Sequence, residues 1–243
     1  MFRRRMVLLA IFIVISTVSF EFVRRVRSQV ETHRAFAAIE IEKRFDATGI
    51  ERYQEQRIYA VRSDGSSVWL ANRLGPDGQA GTVGEIVDLA NQRVISMDGF
   101  TGSTTTEQLT PSELGFRQRV NRTCQAGSQR STILGQNVVK ISQTPVPTNP
   151  STERTEWAAP DFDCYVLSGT YVQYKNGQPG PKTTRQTTFL IPGEPAASLF
   201  EVPASYVERS PSQVAAEFAR RFGHGIASQA SVQQWDEKYA VRH

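Results

Sequence analysis

The sequence is poor in the residues that most catalytic and metal sites require. Its 243 residues include only two cysteines and three histidines. A Ser-His-Asp or Cys-His arrangement would rest on His224, because His33 lies in an N-terminal helical pattern and His243 ends the chain. The glycine-rich stretch at residues 75–84 lacks the Gly-Lys-Ser/Thr of a phosphate-binding loop and predicts a mobile hairpin loop instead. We therefore expect no enzyme activity, no cofactor and no metal.

An acidic cluster is the remaining candidate for chemistry. It consists of Glu156, Asp161 and Asp163, and it lacks the regular spacing and the glycine of an EF-hand. A hydrolase would need a pair such as Glu156 and Asp163 in one cleft. A solvated turn is the preferred interpretation.

The excess of positive charge is confined to one end of the chain. The sequence has 28 basic and 24 acidic residues and a pI near 9.2. The first 29 residues hold six arginines and one glutamate, so the rest carries 22 basic against 23 acidic residues. The body of the protein is close to neutral, and we expect no nucleic-acid partner.

Residues 1–25 have the pattern of a membrane anchor or signal segment. Three arginines precede an uncharged run at residues 6–20, which reaches 18 residues if Val23 is its last. A cleaved signal peptide is the alternative, although the small residues expected at a cleavage site are poorly placed. We expect an uncleaved single-pass anchor in a bacterial inner membrane, with the membrane as partner. Three arginines lie on each side of the apolar run, so the positive-inside rule does not decide the orientation of the segment in the membrane.

Residues 26–50 have the spacing of an amphipathic juxtamembrane helix. Apolar residues recur at intervals of 4, 7, 4 and 4, namely Val26, Val30, Ala37, Ile41 and Phe45. Gly49 is a plausible terminator of this helix. The stripe would pack on the following domain or serve as a dimerising stalk.

Residues 51–210 alternate between apolar and polar side chains, with turn residues every 8 to 15 positions, which predicts a β domain. The candidate strands are 57–63, 67–74, 82–88, 93–98, 103–109, 132–143, 154–159, 164–174 and 183–191. The expected fold is mainly β (α+β), a curved antiparallel half-barrel sheet covered by a few helices. Residues 211–243 should form a C-terminal helix and tail, with Ser210 as N-cap and Gly223 as its end.

The two cysteines, Cys124 and Cys164, are 40 residues apart, and each adjoins a predicted strand. An even pair in an exported domain favours a disulfide. Two buried thiols in a cytosolic protein are the alternative. The disulfide and the β-rich pattern both favour a domain facing the periplasm or the cell exterior.

Two segments of the C-terminal half carry a family resemblance. Residues 155–164 (TEWAAPDFDC) and 199–207 (LFEVPASYV) resemble segments of uncharacterised exported bacterial proteins. The broader likeness is to the lipoprotein-carrier (LolA/LolB-like) superfamily, mainly over residues 154–213. This resemblance implies a curved half-barrel closed by helices over an apolar cavity, and it supplies no catalytic residues.

These features lead to an expected function without catalysis. The β domain would bind an apolar or amphiphilic ligand, such as a lipid or a lipoprotein acyl chain. The candidate structural or ligand-facing anchors are Trp157, Phe162, Leu199, Phe200 and Tyr206. The alternative is a protein-interaction or stress-sensing accessory module of the envelope that binds a protein partner and no small molecule.

Overall fold

The computed structural model describes residues 34–117, 124, 129–143 and 151–223. The predicted anchor at residues 1–25, the first part of the predicted juxtamembrane helix and the tail at residues 224–243 lie outside these ranges. Neither α-helix within these ranges is long and apolar enough to cross a membrane.

The described residues form one sheet of twelve strands with two α-helices and two 3-10 helices. The strands are β1 (Phe36–Phe45), β2 (Glu51–Val61), β3 (Ser67–Leu74), β4 (Ala80–Asp88), β5 (Arg93–Asp98), β6 (Ser103–Gln108), β7 (Arg130–Ile133), β8 (Gln136–Gln143), β9 (Ser151–Ala159), β10 (Tyr165–Lys175), β11 (Gln178–Pro192) and β12 (Val207–Glu208). The α-helices are α1 (Pro111–Arg117) and α2 (Pro211–Phe222), and the 3-10 helices are Pro160–Phe162 and Ala197–Phe200.

The sheet consists of two antiparallel meanders joined in the middle. Strands β1 to β6 form the first meander and β7 to β11 form the second, and β1 pairs with β11 to connect them. Strand β12 adds a short parallel pair to β6 at one edge, while β7 is the outermost strand at the other. This arrangement confirms the mainly β, open antiparallel sheet expected from the sequence.

The predicted helix at residues 26–50 is wrong where the structure describes it, because residues 36–45 are strand β1. The inward side chains of β1 are Phe36, Ala38, Glu40 and Glu42, all at most 5% exposed. A half-buried strand is normally recognised because every second residue is apolar. In β1 two of the four buried residues are carboxylates, so the sequence does not alternate between apolar and polar residues. The outward residues Ala37, Ile41 and Phe45 coincide with a helical spacing, which explains the error.

The predicted strand at 132–143 is also wrong, because it is a hairpin of two strands, β7 and β8. Its turn is formed by Leu134 and Gly135, whose φ angles are 52° and 73°. The usual sequence signal for a two-residue hairpin turn is Asn-Gly or Asp-Gly. Here the glycine is present, but the first position is leucine, which rarely adopts the left-handed region. The bounds of β3 and β5 agree with the prediction, and helix α2 has the predicted capping box between Ser210 and Gln213.

Aromatic contacts show that the sheet curves strongly towards one face. Tyr59 on β2 stacks on Tyr165 of β10 with ring centroids 5.3 Å apart, although two strands lie between them. Strands spaced ~4.8 Å apart would separate these positions by roughly 14 Å in a flat sheet. We call this side the concave face and the opposite side the convex face. Phe36, Phe162 and Leu167 form a buried core at one end of the concave face.

The predicted disulfide between Cys124 and Cys164 is confirmed, with Cα atoms 5.5 Å apart. It closes a loop of 40 residues that begins before β7 and ends between β9 and β10. In the chain-entropy account, such a loop stabilises the folded state by about 3 to 4 kcal/mol.

Candidate functional site

The concave face is lined by buried charges beside its aromatic core. Five carboxylates on four strands are at most 9% exposed, namely Glu40, Glu42, Glu55, Glu85 and Glu156. Buried carboxylates are costly unless they are paired. The arginine and tyrosine partners of Glu40, Glu42, Glu55 and Glu156 lie on the same face, and their contacts are described next.

Glu42 and Glu55 lie directly opposite each other on β1 and β2. Two like charges in this position repel each other. Arg57 bridges them, with its Nη2 2.8 Å from Glu42 and its Nε donating to Glu55. Arg73 Nε also donates to Glu55, and Arg44 Nε donates to Glu42 at 2.9 Å. The arginines therefore convert a repulsive pair into a network of charged hydrogen bonds.

Two tyrosines bind Glu40 and Glu156. Tyr165 donates to Glu40 at 2.6 Å, and burial together with this carboxylate raises the pKa of Tyr165 well above its ordinary value. Tyr171 donates to Glu156, and its burial and this hydrogen bond raise its pKa to about 12. Arg154 Nη2 lies 2.7 Å from Glu156. Both tyrosines are therefore neutral hydrogen-bond donors at physiological pH.

This network does not resemble an acid–base pair. Glu156, one member of the predicted acidic cluster, is already bound by Arg154 and Tyr171. Within the described ranges, no group of three or more His, Cys, Asp or Glu residues could hold a metal ion. The network's evident role is to hold the concave face together.

The convex face carries two rows of apolar residues that run across six strands. The first row is Ile191, Ala37, Ala60, Val68, Ile86 and Ile95, and the second is Phe189, Ile39, Ile58, Leu70, Gly84 and Met97. Each row follows the strand order β11, β1, β2, β3, β4, β5. Since side chains alternate along a strand, these rows lie opposite the charge network. We call them the apolar rows.

One half of the apolar rows is covered by the chain that leaves β11. This exit segment, residues 193–206, packs against the buried members of the rows through Leu199, Phe200, Val202 and Tyr206. Ala60, Val68 and Ile86 beneath it are at most 2% exposed. The exit segment thus acts as the outer layer for β3, β4 and β5.

The other half of the apolar rows is exposed. Phe189 and Ile191 are each 51% exposed and Ile58 is 37% exposed, while Ile39 between them is partly buried. The pairing register places Ile39 directly between Ile58 and Phe189. We call Ile39, Ile58, Phe189 and Ile191 the open end of the rows. Adjacent exposed apolar residues of this size mark an interaction surface more often than scattered ones do.

The five anchors predicted from the sequence fall on two opposite faces. Trp157 and Phe162 belong to the concave aromatic core, where Phe162 is 1% exposed. Leu199, Phe200 and Tyr206 pack on the convex apolar rows beside the open end. The anchors therefore do not form one site, and a ligand-contact role for them remains a prediction.

The sequence pattern does not identify the residues of the open end. The pattern predicts a helix at Ile39, and it predicts strands at Ile58, Phe189 and Ile191 without indicating which face of the sheet each side chain occupies. The alternation in Arg57-Ile58-Tyr59-Ala60 and Phe189-Leu190-Ile191 was the available signal, but it shows apolar residues on both faces. Only the pairing register of β1 with β2 and β11 shows that these residues lie next to one another on one face.

Comparisons with known proteins give remote structural similarities only. No family model matches the sequence, and no curated protein matches it. Among solved structures, PNGF-II matches with a TM-score of 0.44 and 14% identity, covering 76% of this chain and 32% of that one. The MucA/MucB complex of Pseudomonas aeruginosa matches with a TM-score of 0.33 and 14% identity, covering 73% and 58%.

A LolA superfamily protein from Nitrosomonas europaea matches with a TM-score of 0.33 and 8% identity, covering 70% of this chain and 90% of that one. This chain spans less than two thirds of PNGF-II and of the matched chain of the MucA/MucB complex.

Proposed function

We propose that this protein is a membrane-tethered, non-catalytic binding protein of the bacterial envelope. Its β domain binds the apolar part of an amphiphile, such as a lipid or a lipoprotein acyl chain, at the open end of the apolar rows. The observation that carries the proposal is the exposure of Ile58 on β2 and of Phe189 and Ile191 on β11, on either side of Ile39 of β1.

The expected gain from covering this surface is moderate. Fully burying one large aliphatic or aromatic side chain contributes about 1.5 to 3 kcal/mol. Covering the exposed parts of Ile58, Phe189 and Ile191 would therefore contribute about 3 kcal/mol. That gain suits a reversible contact with an acyl chain, and further affinity must come from other parts of the ligand.

Photocrosslinking of the full chain in bacterial cells tests the proposal. A benzophenone side chain replaces Phe189, and in a control protein it replaces Leu74, which is 77% exposed at the end of β3 and outside the apolar rows. We expect adducts with the mass of a lipid or an acylated peptide at position 189 and not at position 74. Ile58→Ser should reduce their yield, since it removes a neighbouring apolar contact. Equal yields at the two positions would refute the proposal.

The second candidate is a protein-interaction module. Strand β7 is the outermost strand of the sheet, and among the described residues it pairs with β8 alone. An edge strand can accept a further strand from another chain. A protein adduct of one defined mass from a benzophenone at Thr132, without lipid adducts at position 189, would favour this candidate.

A further inference from the structure

The convex face of the three central strands changes from apolar to polar along the strand direction. Beyond the open end, most outward positions of β2, β1 and β11 carry amide, hydroxyl and ammonium groups, while Ile41 and Phe45 on β1 are apolar. In register order these are Gln56, Gln186, Gln54, Thr184, Lys43 and Lys182. We call this set the polar end of the convex face. The three glutamines are exposed, and the other three side chains are partly exposed.

The buried carboxylates and the lysines of these strands lie on opposite faces. The buried carboxylates Glu40, Glu42 and Glu55 all point to the concave side. At the polar end of the convex side, Lys43 pairs with Glu51 at 3.0 Å, and Arg52 pairs with Asp46 of the adjoining turn at 2.7 Å. At the polar end, Glu51 and Asp46 therefore each have a cationic partner.

Lys182 is the second lysine of the polar end. Its ammonium nitrogen lies 4.7 Å from the centroid of the Phe45 ring, and no described carboxylate lies within ion-pair distance of it. A lysine over a phenylalanine ring retains its charge and most of its hydrogen-bonding capacity. Lys182 is therefore available to an external anion.

The distance between the two ends fits one extended ligand. Ile39 at the open end and Phe45 beside Lys182 are six residues apart on β1, which corresponds to ~20 Å at about 3.4 Å per residue. The intervening positions are filled by Ile41, Gln56 and Gln186, which form a continuous surface. A ligand lying along β1 would meet apolar contacts first, then amides, then an ammonium group.

We propose that the ligand is an anionic amphiphile, with its apolar chain on the open end and its negatively charged headgroup at Lys182. This inference rests on the proposed function, because it names the class of amphiphile that the same surface binds. The exposed amides of Gln54 and Gln186 supply neutral hydrogen bonds to the headgroup. Lys182 supplies the selection by charge, since a zwitterionic headgroup gains less from a lone cation.

The test uses the full chain reconstituted into vesicles of equal parts phosphatidylethanolamine and phosphatidylglycerol, with the benzophenone at position 189. Mass spectrometry gives the ratio of phosphatidylglycerol to phosphatidylethanolamine adducts. We expect the Lys182→Gln substitution to lower this ratio about fivefold, since one lysine near an anionic lipid contributes about 1 kcal/mol. Lys182→Arg should retain the ratio. The control is Lys175→Gln, an exposed lysine at the end of β10, which should leave the ratio unchanged.

The outcomes separate the two proposals. Lipid adducts whose ratio is the same with and without Lys182 would overturn the headgroup assignment while the binding of amphiphiles at the open end stands. An equal fall of the ratio in the Lys175→Gln control would also overturn it, because the effect would then be one of net charge. Absence of lipid adducts above those at position 74 would overturn the proposed function itself. Circular dichroism of each variant confirms that the sheet is retained.

Discussion

Three neighbouring residues of the concave face, Arg57, Arg73 and Tyr53, donate hydrogen bonds to the carboxylate of Glu55. Its side chain is 1% exposed, and Arg57 and Arg73 both donate to it. Burial by itself raises the pKa of the Glu55 carboxyl, but hydrogen bonds from Arg73, Tyr53 and Arg57 outweigh burial and lower the pKa from 4.5 to about 2. The ionised form of Glu55 is therefore part of the folded structure.

Glu55 should make the protein sensitive to acid. Since its pKa is lower in the folded state, its stabilisation is complete above pH 4.5 and is lost as the pH falls from 4.5 to about 2. The shift corresponds to about 3 kcal/mol. We expect Glu55→Gln to lower the free energy of unfolding at pH 7, and to lower it much less near pH 2. Thermal unfolding of both proteins across this pH range measures the difference.

The matched control is Glu51→Gln. Glu51 pairs with Lys43 on the protein surface, where its side chain is 39% exposed. Exposed ion pairs contribute at most about 1 kcal/mol, so this variant should lose little stability at any pH. If Glu55→Gln behaved like Glu51→Gln, the concave network would have no role in stability.

Strand β4 approaches β3 so closely that one position has no room for a side chain. A Cβ atom at Gly84 would lie 2.3 Å from the carbonyl oxygen of Trp69 and 2.8 Å from Cδ2 of Leu70. Gly84 is a member of the second apolar row, directly opposite Leu70. The predicted loop at residues 75–84 therefore extends too far, because Gly81 and Gly84 lie in β4.

The Gly84→Ala substitution should separate β3 from β4. Because the clash involves backbone, it cannot be relieved by a rotamer change, and we expect a loss of about 2 kcal/mol in the free energy of unfolding. Gly180→Ala in β11 is the control, since its Cβ would lie 3.2 Å from its nearest neighbour, the carbonyl oxygen of Gln173. Denaturant unfolding compares the two. Similar losses in both variants would show that close strand approach is not the cause.

Some elements could be predicted from the sequence because their signals were local. Strands β3 and β5 have turn residues at both ends, and α2 has Ser210, Pro211 and Gln213 at its start. Strand β1 could not be predicted, because its buried face includes Glu40 and Glu42, which pair with Arg185 and Arg57 of the neighbouring strands. The open end could not be predicted either, since it depends on the register of β1 with β2 and β11.

At the scale of the whole molecule, β1 joins two halves that are separate in the sequence. It pairs with β2 of the first meander and with β11 of the second. Phe36 extends this connection into the core, where its ring contacts Tyr59 of the first meander and Phe162 and Tyr165 of the second. The charge network on one face and the apolar rows on the other both cross β1. We therefore expect the two meanders to unfold as one cooperative unit.

Two substitutions test this cooperativity by hydrogen exchange measured on peptides from both meanders. Phe36→Ala should cost about 3 to 5 kcal/mol, because it leaves a cavity in the shared aromatic core. It should speed the exchange of β3–β5 and of β8–β10 by the same factor. Ile86→Ala, in the convex cluster of the first meander, should also speed exchange in β8–β10, although Ile86 lies on β4. Faster exchange confined to β3–β5 in the Ile86→Ala protein would mean that the meanders are separate folding units. In that case the open end, which spans both of them, would depend on their docking rather than on one continuous sheet.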